Sequence, residues 1–389
     1  MCHHAPHRHP IFCILPPQIL RELARNGTAA ERDVALATLA TDQTARMTRV
    51  TCELQESGAH HALMTAGPAR KQRTVYDGGA REALPGRVVR NEGDMATKDA
   101  AVNEAYDGLG ATWDFYFTAY QRNSIDDRGV RLDATVHYAE RYDNAFWNGQ
   151  QMIFGDGDGK YFNRFTAALD VIGHELTHGV TGSEARLAYL GQPGALNESI
   201  SDVFGSLVKQ FTLDQTADRA DWLIGVGLLS SRVKANGGRA AALRSLKSPG
   251  TGYNDPVLGK DPQPAHMADF VHTSRDNGGV HINSGIPNRA FYLAAMAIGG
   301  KAWERAGRIW YETIRDRQLK PTAQFADFAL RTAMAAGRLY GSASHERTAV
   351  LAAWRQVGVT VPSLQGEPRG PANVTTVGAA DKKAVRRRR

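Results

Sequence analysis

The segment His174-Glu175-Leu176-Thr177-His178, with Gly194-Ala195-Leu196-Asn197-Glu198-Ser199-Ile200-Ser201-Asp202-Val203-Phe204-Gly205 downstream, decides how this chain folds and what chemistry it can hold. Histidines four positions apart on an α-helix project from one face, a turn apart, so His174 and His178 can aim two imidazole nitrogens at one ion. Glu175 lies beside that face, placed to take a proton from a metal-bound water without ligating. A catalytic zinc needs a third ligand and one open position. In the second segment Leu196, Ile200, Val203 and Leu207 recur at helical spacing, and that helix offers Glu198 as the third ligand. Asp202, one turn on, is placed to accept the remaining N–H of a ligating histidine, His174 before His178, fixing its tautomer and raising its basicity. An H-E-x-x-H run alone also arises on ordinary exposed helices; the N-E-x-x-x-D run in a second helix favours zinc.

Outward from these helices lie Asp143-Asn144-Ala145-Phe146-Trp147-Asn148-Gly149, then Gly155-Asp156-Gly157-Asp158-Gly159, and Asp276-Asn277-Gly278-Gly279-Val280-His281-Ile282-Asn283-Ser284-Gly285. Late in the chain come Phe325-Ala326-Asp327-Phe328 and Leu339-Tyr340-Gly341-Ser342. Together these motifs resemble the thermolysin-like zinc metallopeptidases (peptidase family M4) across roughly residues 70 to 360. The resemblance implies a zinc-dependent neutral endopeptidase in which Glu175 activates a zinc-bound water. It also implies that His281 donates a hydrogen bond to the tetrahedral oxyanion, with Tyr189 beside it and Asp276 orienting His281. Zinc plus two preorganised donors suits charge that appears only in the transition state. Without a zinc site, His281 reads as a satisfied histidine in a glycine-rich turn and Tyr189 as a half-buried aromatic.

For an extended peptide substrate, the resemblance assigns backbone pairing to the Asn144 side chain, the Ala145 carbonyl and the Arg244 guanidinium, whose rigid donor fork suits the task. It maps the pocket just beyond the scissile bond onto Phe162, Phe165, Val171, Ile224 and Leu243, which would favour a bulky hydrophobic residue on the amine side of the cut. Read as residues alone, Asn144 and Arg244 also fit a loop residue and a surface charge, and the apolar five fit ordinary core.

Family members hold a pair of calcium ions beside the zinc helices, and such hard cations need several oxygen ligands. This chain keeps Asp170 and Asp221 but has Lys209, Leu223 and Val226 where other ligands are expected. An ammonium cannot ligate calcium, whereas it can neutralise carboxylates. Lys209 is therefore expected to pair with Asp170 or Asp221, and the double calcium site to be absent. The 155–159 run resembles part of a calcium loop but lacks the distal glutamate, so it is read as a hairpin turn.

Residues 1–50 differ in character from the remainder of the chain: a histidine cluster, then Phe12-Cys13-Ile14-Leu15-Pro16-Pro17, then an Ala/Arg/Glu-rich helical stretch. A short leader of this kind resembles the protealysin-like branch of the family, whose propeptide inhibits the enzyme until removed. That implies a zymogen whose mature chain begins between Thr51 and Lys71. The extended segment Phe12 to Pro17, with Cys13, Pro16 and Pro17 as inhibitory residues, is expected to occupy the cleft as a pseudo-substrate. Two readings of Cys13 stand: a thiolate on zinc, or a small apolar side chain packed beneath the leader, the second preferred. The three cysteines, Cys2, Cys13 and Cys52, all lie in or near the leader. Stability must then come from a core, which about 300 residues can bury.

The fold class read from these patterns is α+β and two-lobed, resembling thermolysin. Residues 51–185 form a strand-rich N-terminal lobe including the zinc helix, with strands around Arg131 to Tyr138 and Gln150 to Phe154. Residues 186–362 form a helical C-terminal lobe, with helices over Pro287 to Ile298, Ala302 to Arg317, Thr322 to Leu339 and Ser344 to Val357. Residues 363–389 read as a disordered basic tail. The net charge is +7, and five of those charges sit in residues 381–389, so the folded part is nearly balanced. A tail of that kind can adhere to phosphate-bearing surfaces, but a solvated extension is the preferred reading and no specific nucleic-acid partner is expected. No stretch is apolar enough to span a bilayer and no signal-peptide pattern is present, so the resemblance implies secretion while cytoplasmic retention stays open. The partners expected are protein or peptide substrates and the chain's own leader. Outside enzymes, a catalytically silent peptide binder and a nucleic-acid-associated protein are the competing classes; the intact Glu175 and His281 argue against the first.

Overall fold

The computed structural model describes residues 12–56, 69–235, 238 and 241–362. The leader contributes a short strand, β1 (Phe12–Cys13), and two helices, α1 (Pro17–Asn26) and α2 (Ala29–Glu56). The N-terminal lobe continues with β2 (Arg73–Arg81), β3 (Arg87–Asn91), α3 (Ala100–Tyr120), β4 (Leu132–Tyr138), β5 (Ala145–Trp147), β6 (Met152–Phe154) and the helix α4 (Leu169–Ser183). Beyond it come α5 (Gly191–Thr212), two small antiparallel pairs β7 (Leu223–Ile224) with β8 (Arg244–Ser245) and β9 (Asn254–Asp255) with β10 (Gly259–Lys260), and helices α6 (Asp276–Asn283), α7 (Gly285–Ile298), α8 (Ala306–Ile314), α9 (Phe325–Tyr340) and α10 (His345–Gln356). The expected α+β division is met: a strand-containing lobe ahead of a helical one.

One six-stranded sheet runs β1-β5-β6-β4-β2-β3. β4 is parallel to both β2 and β6, whereas β5 is antiparallel to β6 and to β1. β5 would otherwise be a free edge with unpaired backbone groups, and the leader supplies the missing strand. Its register pairs Phe12 with Trp147 and Cys13 with Phe146.

The leader departs from expectation in two respects. Pro17 does not belong to the extended segment but is the first residue of α1, whereas Pro16 keeps extended backbone (φ −60°, ψ 135°) as its N-cap. A proline at the first helical position loses only an N–H that a helix start cannot pair anyway, so Pro17 opens α1 directly after the extended Pro16. α2 also runs past residue 50, as far as Glu56. Cys2, residues 57–68 and the basic tail lie outside the described residues, as do the side chains of residues 45–56, and so does much of the stretch in which the mature chain is expected to begin.

The 155–159 run is a loop, not a hairpin turn. Asp158 Oδ1 accepts the backbone N–H groups of Lys160, Tyr161 and Phe162 at 2.8–2.9 Å, which folds the segment around its own side chain. At the far end of α4, the fully buried Arg122 donates to Ser183, Glu184, Tyr311 and the Ile125 carbonyl, fastening α4 to α8. α4 and α5 lie unusually close because Gly173 and Gly205 face one another; a Cβ on Gly205 would collide with the Asp170 carbonyl. No described helix is long and apolar enough to cross a membrane.

His137 ties the sheet to α3. Its Nε2 lies 2.8 Å from Asp99, whose other oxygen caps α3 through Ala101 and Val102, and its Nδ1 lies 2.9 Å from Asp156. The Asp156 hydrogen bond, opposed by burial and reinforced by Asp99, raises the imidazole pKa from 6.5 to about 9. A pKa raised on folding stabilises fully below the unfolded value, and that contribution is lost as pH rises through the folded value. His137→Gln is therefore expected to lower Tm most near pH 6, by an amount equivalent to about 1 kcal/mol after screening at this half-exposed cluster. The difference from the unaltered chain should shrink towards zero by about pH 10 in thermal melts. A gap that stays constant across pH would contradict the assignment.

Candidate active site

α4 and α5 bring together His174, His178 and Glu198, all buried, with a ligand atom from each within 4.8 Å of the others. The two Nε2 atoms are 3.0 Å apart and lie 3.5 and 3.6 Å from the Glu198 carboxylate. Each histidine has its Nδ1 engaged elsewhere: His174 by Asp202 at 2.8 Å, His178 by the Asn197 carboxamide oxygen at 2.8 Å and by Ser201. A carboxylate and a carboxamide oxygen accept only, so both Nδ1 atoms carry the proton and both Nε2 atoms present lone pairs. Two lone pairs and a carboxylate facing one another in a dry interior repel unless a cation lies between them, and the N2O donor set is one that zinc takes. The residues thus fit the ion that the motif implies.

Asp202 is placed on His174 as expected. It also accepts from Arg244 at 2.8–3.1 Å and from Asn288 at 2.8 Å. Burial alone would push this carboxyl up; Arg244 and His174 more than offset that and hold it below its usual range. Glu175 is fully buried on α4. Its Oε2 accepts the Trp147 N–H at 3.2 Å, and its Oε1 has no partner among the described residues.

His281 sits where α6 opens with a left-handed turn, Asp276 to Gly279 having φ of 52°, 49°, 82° and 77°. Only glycine, and to a lesser extent Asp and Asn, adopts that conformation readily, which is why the Asp-Asn-Gly-Gly sequence stands here. The turn folds the Asp276 carboxylate back onto the His281 backbone N–H at 2.9 Å and onto its Nδ1 at 2.6 Å. The other ring nitrogen, Nε2, is 3.1 Å from the Cys13 carbonyl oxygen. With acceptors on both sides, the ring carries two protons. Burial opposes the charge, and Asp276 with Glu198 behind it raises the pKa regardless. Tyr189 stands beside His281, its hydroxyl 3.3 Å from Nε2 and donating to Glu198.

The leader strand fills the remaining expected contacts. Ile14 N donates to the Ala145 carbonyl at 3.2 Å, the Ile14 carbonyl accepts from Arg244 at 3.0 Å, and Leu15 N donates to the Asn144 side-chain oxygen at 3.1 Å. Neither Asn144 nor Arg244 is a simple loop or surface residue; both are buried. Phe162, Phe165, Val171, Ile224 and Leu243 are buried in the same continuous apolar cluster as Ile14 and Leu15. The Cys13 side chain instead packs with Tyr138, Tyr142, Phe146 and Ile153. It is buried there.

Lys209 reaches Asp170 at 2.7 Å, Asp221 at 3.0 Å and the Leu223 carbonyl at 2.7 Å, so it pairs with both aspartates, not with one. Val226 is exposed.

Several partners lie beyond what the sequence pattern indicates. Asn197 and Ser201 hold His178; they are four apart on α5, so the face carrying Glu198 could have pointed to them. Gln263 donates to the His281 carbonyl at 2.9 Å, and Asn288 to Asp202; only tertiary packing brings these two in. From the leader, Asp42 accepts from Tyr142 and, at 2.9 Å, from the Asn144 carboxamide, while Thr38 accepts the Asp143 N–H at 3.2 Å. These are four apart on α2, one face again.

The chain matches the thermolysin metallopeptidase catalytic domain over residues 29–182 and the α-helical domain of the same peptidases over 185–359. It belongs to the thermolysin metallopeptidase family. An extracellular metalloprotease of Pectobacterium carotovorum subsp. carotovorum is 51% identical over 352 residues, covering 90% of this chain and 97% of that protein. Protease PrtS of Photorhabdus sp. (strain Az29) is 46% identical over 352 residues, covering 90% and 92%. Among solved structures, the precursor of protealysin, a metalloproteinase from Serratia proteamaculans, is similar with a TM-score of 0.80 at 52% identity, covering 90% of this chain and 100% of that one. Membership of the thermolysin family makes the chain a zinc metalloendopeptidase, and the two-lobed fold around α4 and α5 is the family's own.

Proposed function

We propose that the chain is the latent precursor of a neutral endopeptidase that cuts on the amino side of bulky hydrophobic residues, with Glu175 as the proton-transfer group. The observation that carries this reading is the leader segment in the cleft, its Cys13 carbonyl 3.1 Å from His281 Nε2 and its Ile14 bonded to the Ala145 carbonyl and to Arg244, so that on this reading the Cys13–Ile14 bond takes the place of a scissile bond. His174, His178 and Glu198 hold the zinc, which when bound supplies an acidified water and polarises the carbonyl. Glu175, with one oxygen anchored and the other without a partner among the described residues, takes the proton of the attacking water and passes it to the leaving amine. His281 donates to the carbonyl oxygen as it becomes an oxyanion, with Asp276 holding the ring in place. Tyr189 is close enough to join it once its hydroxyl turns from Glu198. Asn144, Ala145 and Arg244 hold the substrate backbone on the amine side of the cut. The apolar group Phe162, Phe165, Val171, Ile224 and Leu243 receives the side chain there, the place Ile14 takes in the precursor.

The solved protealysin precursor supports the zymogen reading, and the leader's own contacts give its physical form. An added strand, the Asp42 contacts to Tyr142 and Asn144, and the Lys160–Glu31 ion pair hold it over the cleft. The extracellular metalloprotease among the relatives supports action outside the cell. Assaying the purified chain on casein, before and after loss of the leader, with and without a zinc chelator, tests this reading. Activity that appears on processing and disappears with zinc supports it; chelator-resistant activity contradicts it.

The double calcium site is absent on the same reading, because the Lys209 ammonium stands between Asp170 and Asp221 where a divalent ion would need oxygen donors. Calorimetric titration with calcium is expected to give no two-site binding, and a calcium-selective chelator to leave activity and Tm unchanged. Tight uptake of two ions, with activity lost on their removal, would overturn it.

A further inference from the structure

Asp202 stands beneath two functional groups at once. Its Oδ1 accepts from His174 Nδ1 and from Arg244, and its Oδ2 from Arg244 Nε and from Asn288 Nδ2. Asn288 comes from α7, in a different part of the chain from all of these, and is fully buried. The carboxylate accepts only, so it fixes which way the Asn288 carboxamide points, NH2 towards Asp202. The other end, Oδ1, has no hydrogen-bond partner among the described residues. A buried carbonyl left unpaired costs stability that an apolar side chain of similar shape would not. What the position gains in return is one donor aimed at Asp202.

We infer that Asn288 is a positioning residue of the zinc centre. Its NH2 pins the plane of the Asp202 carboxylate so that one oxygen faces His174 while both face the Arg244 fork. Without that donor, Arg244 is the sole partner of Oδ2 among the described residues, and the carboxylate is free to tip towards the guanidinium, drawing Oδ1 off His174 and loosening the imidazole. A neutral donor suits the place: a second cation would compete with His174 for the charge of Asp202, whereas a carboxamide steers the anion and leaves its charge to the ligand and to Arg244. The inference rests on the zinc site proposed above, and extends it by one shell of residues.

The test uses the full chain and two variants, Asn288→Asp, which keeps the shape but replaces the donor with an acceptor, and Asn288→Leu, which removes polarity altogether. Each is loaded with zinc and mixed with a chromophoric chelator, and Tm is measured in the loaded and the stripped states. Both variants are expected to lose zinc about tenfold faster than the unaltered chain, the size seen when the groups behind a metal ligand are removed. Tm should fall more in the loaded state than in the stripped one, which a role in packing alone would not produce. Should Asn288→Asp fail to fold because it sets two buried carboxylates together, Asn288→Leu carries the test. Zinc loss at the unaltered rate, or an equal fall in Tm with and without zinc, overturns the inference and leaves the zinc site standing. An unaltered chain that takes up no zinc overturns both.

Discussion

Glu175→Ala is expected to lower kcat/KM on a peptide substrate by about 10³-fold, the range that positioned general acid–base groups supply. Zinc content should be unchanged. The argument is one of placement. Glu175 comes directly after His174 on α4, so its side chain leaves the helix beside the ligand face and not on it. One oxygen is tied to the Trp147 N–H, which also belongs to the β5 strand that binds the leader, and this fixes the carboxylate relative to a bound peptide. The other oxygen has no protein partner among the described residues, and a buried carboxylate oxygen left open in this way marks where an exchangeable proton is handled. Steady-state kinetics on leader-free enzyme, with metal analysis of the same sample, checks it. Activity within tenfold of the unaltered enzyme would rule Glu175 out as the proton carrier, and loss of zinc alongside activity would make it a ligand.

His281→Ala is expected to reduce kcat by roughly 10²-fold to 10³-fold with little change in KM, because a donor aimed at an oxyanion acts chiefly on the transition state. The ring is built for that use: a left-handed turn delivers it, Asp276 holds it at two points, and Nε2 already touches the Cys13 carbonyl where a scissile carbonyl would lie. Asp276→Asn should give a smaller loss in the same direction, since the carboxamide can still meet one of the two N–H groups. A rise in KM at constant kcat in His281→Ala would instead make His281 a ground-state binding residue.

Much of this site is legible in the sequence because its parts obey local rules. Four-residue spacing places His174 with His178 and Glu198 with Asp202, and a charge argument at Lys209 anticipates its ion pairs. The pseudo-substrate segment is legible in outline but not at Pro17, where two prolines suggest a continued extended run and the second in fact starts a helix. At 155–159 the glycine spacing suggests a hairpin, whereas Asp158 gathers three backbone N–H groups by itself and makes a loop. Short strands such as β1 and β5 carry too few residues for any alternation to register, and β1 exists only because β5 offers it an edge. Asn288, Gln263 and Asp42 are out of reach for a different reason: each acts across a long separation in sequence, and nothing in its neighbourhood along the chain distinguishes it from an ordinary polar residue.

Zinc-edge X-ray absorption on the purified full chain, with metal content measured on the same sample, tests the central claim most directly. The expected result is one zinc per chain in a shell of two imidazoles and light oxygen donors, abolished by His178→Ala. Folded protein without zinc, or a shell containing sulfur or keeping both imidazoles in the His178 variant, would contradict it.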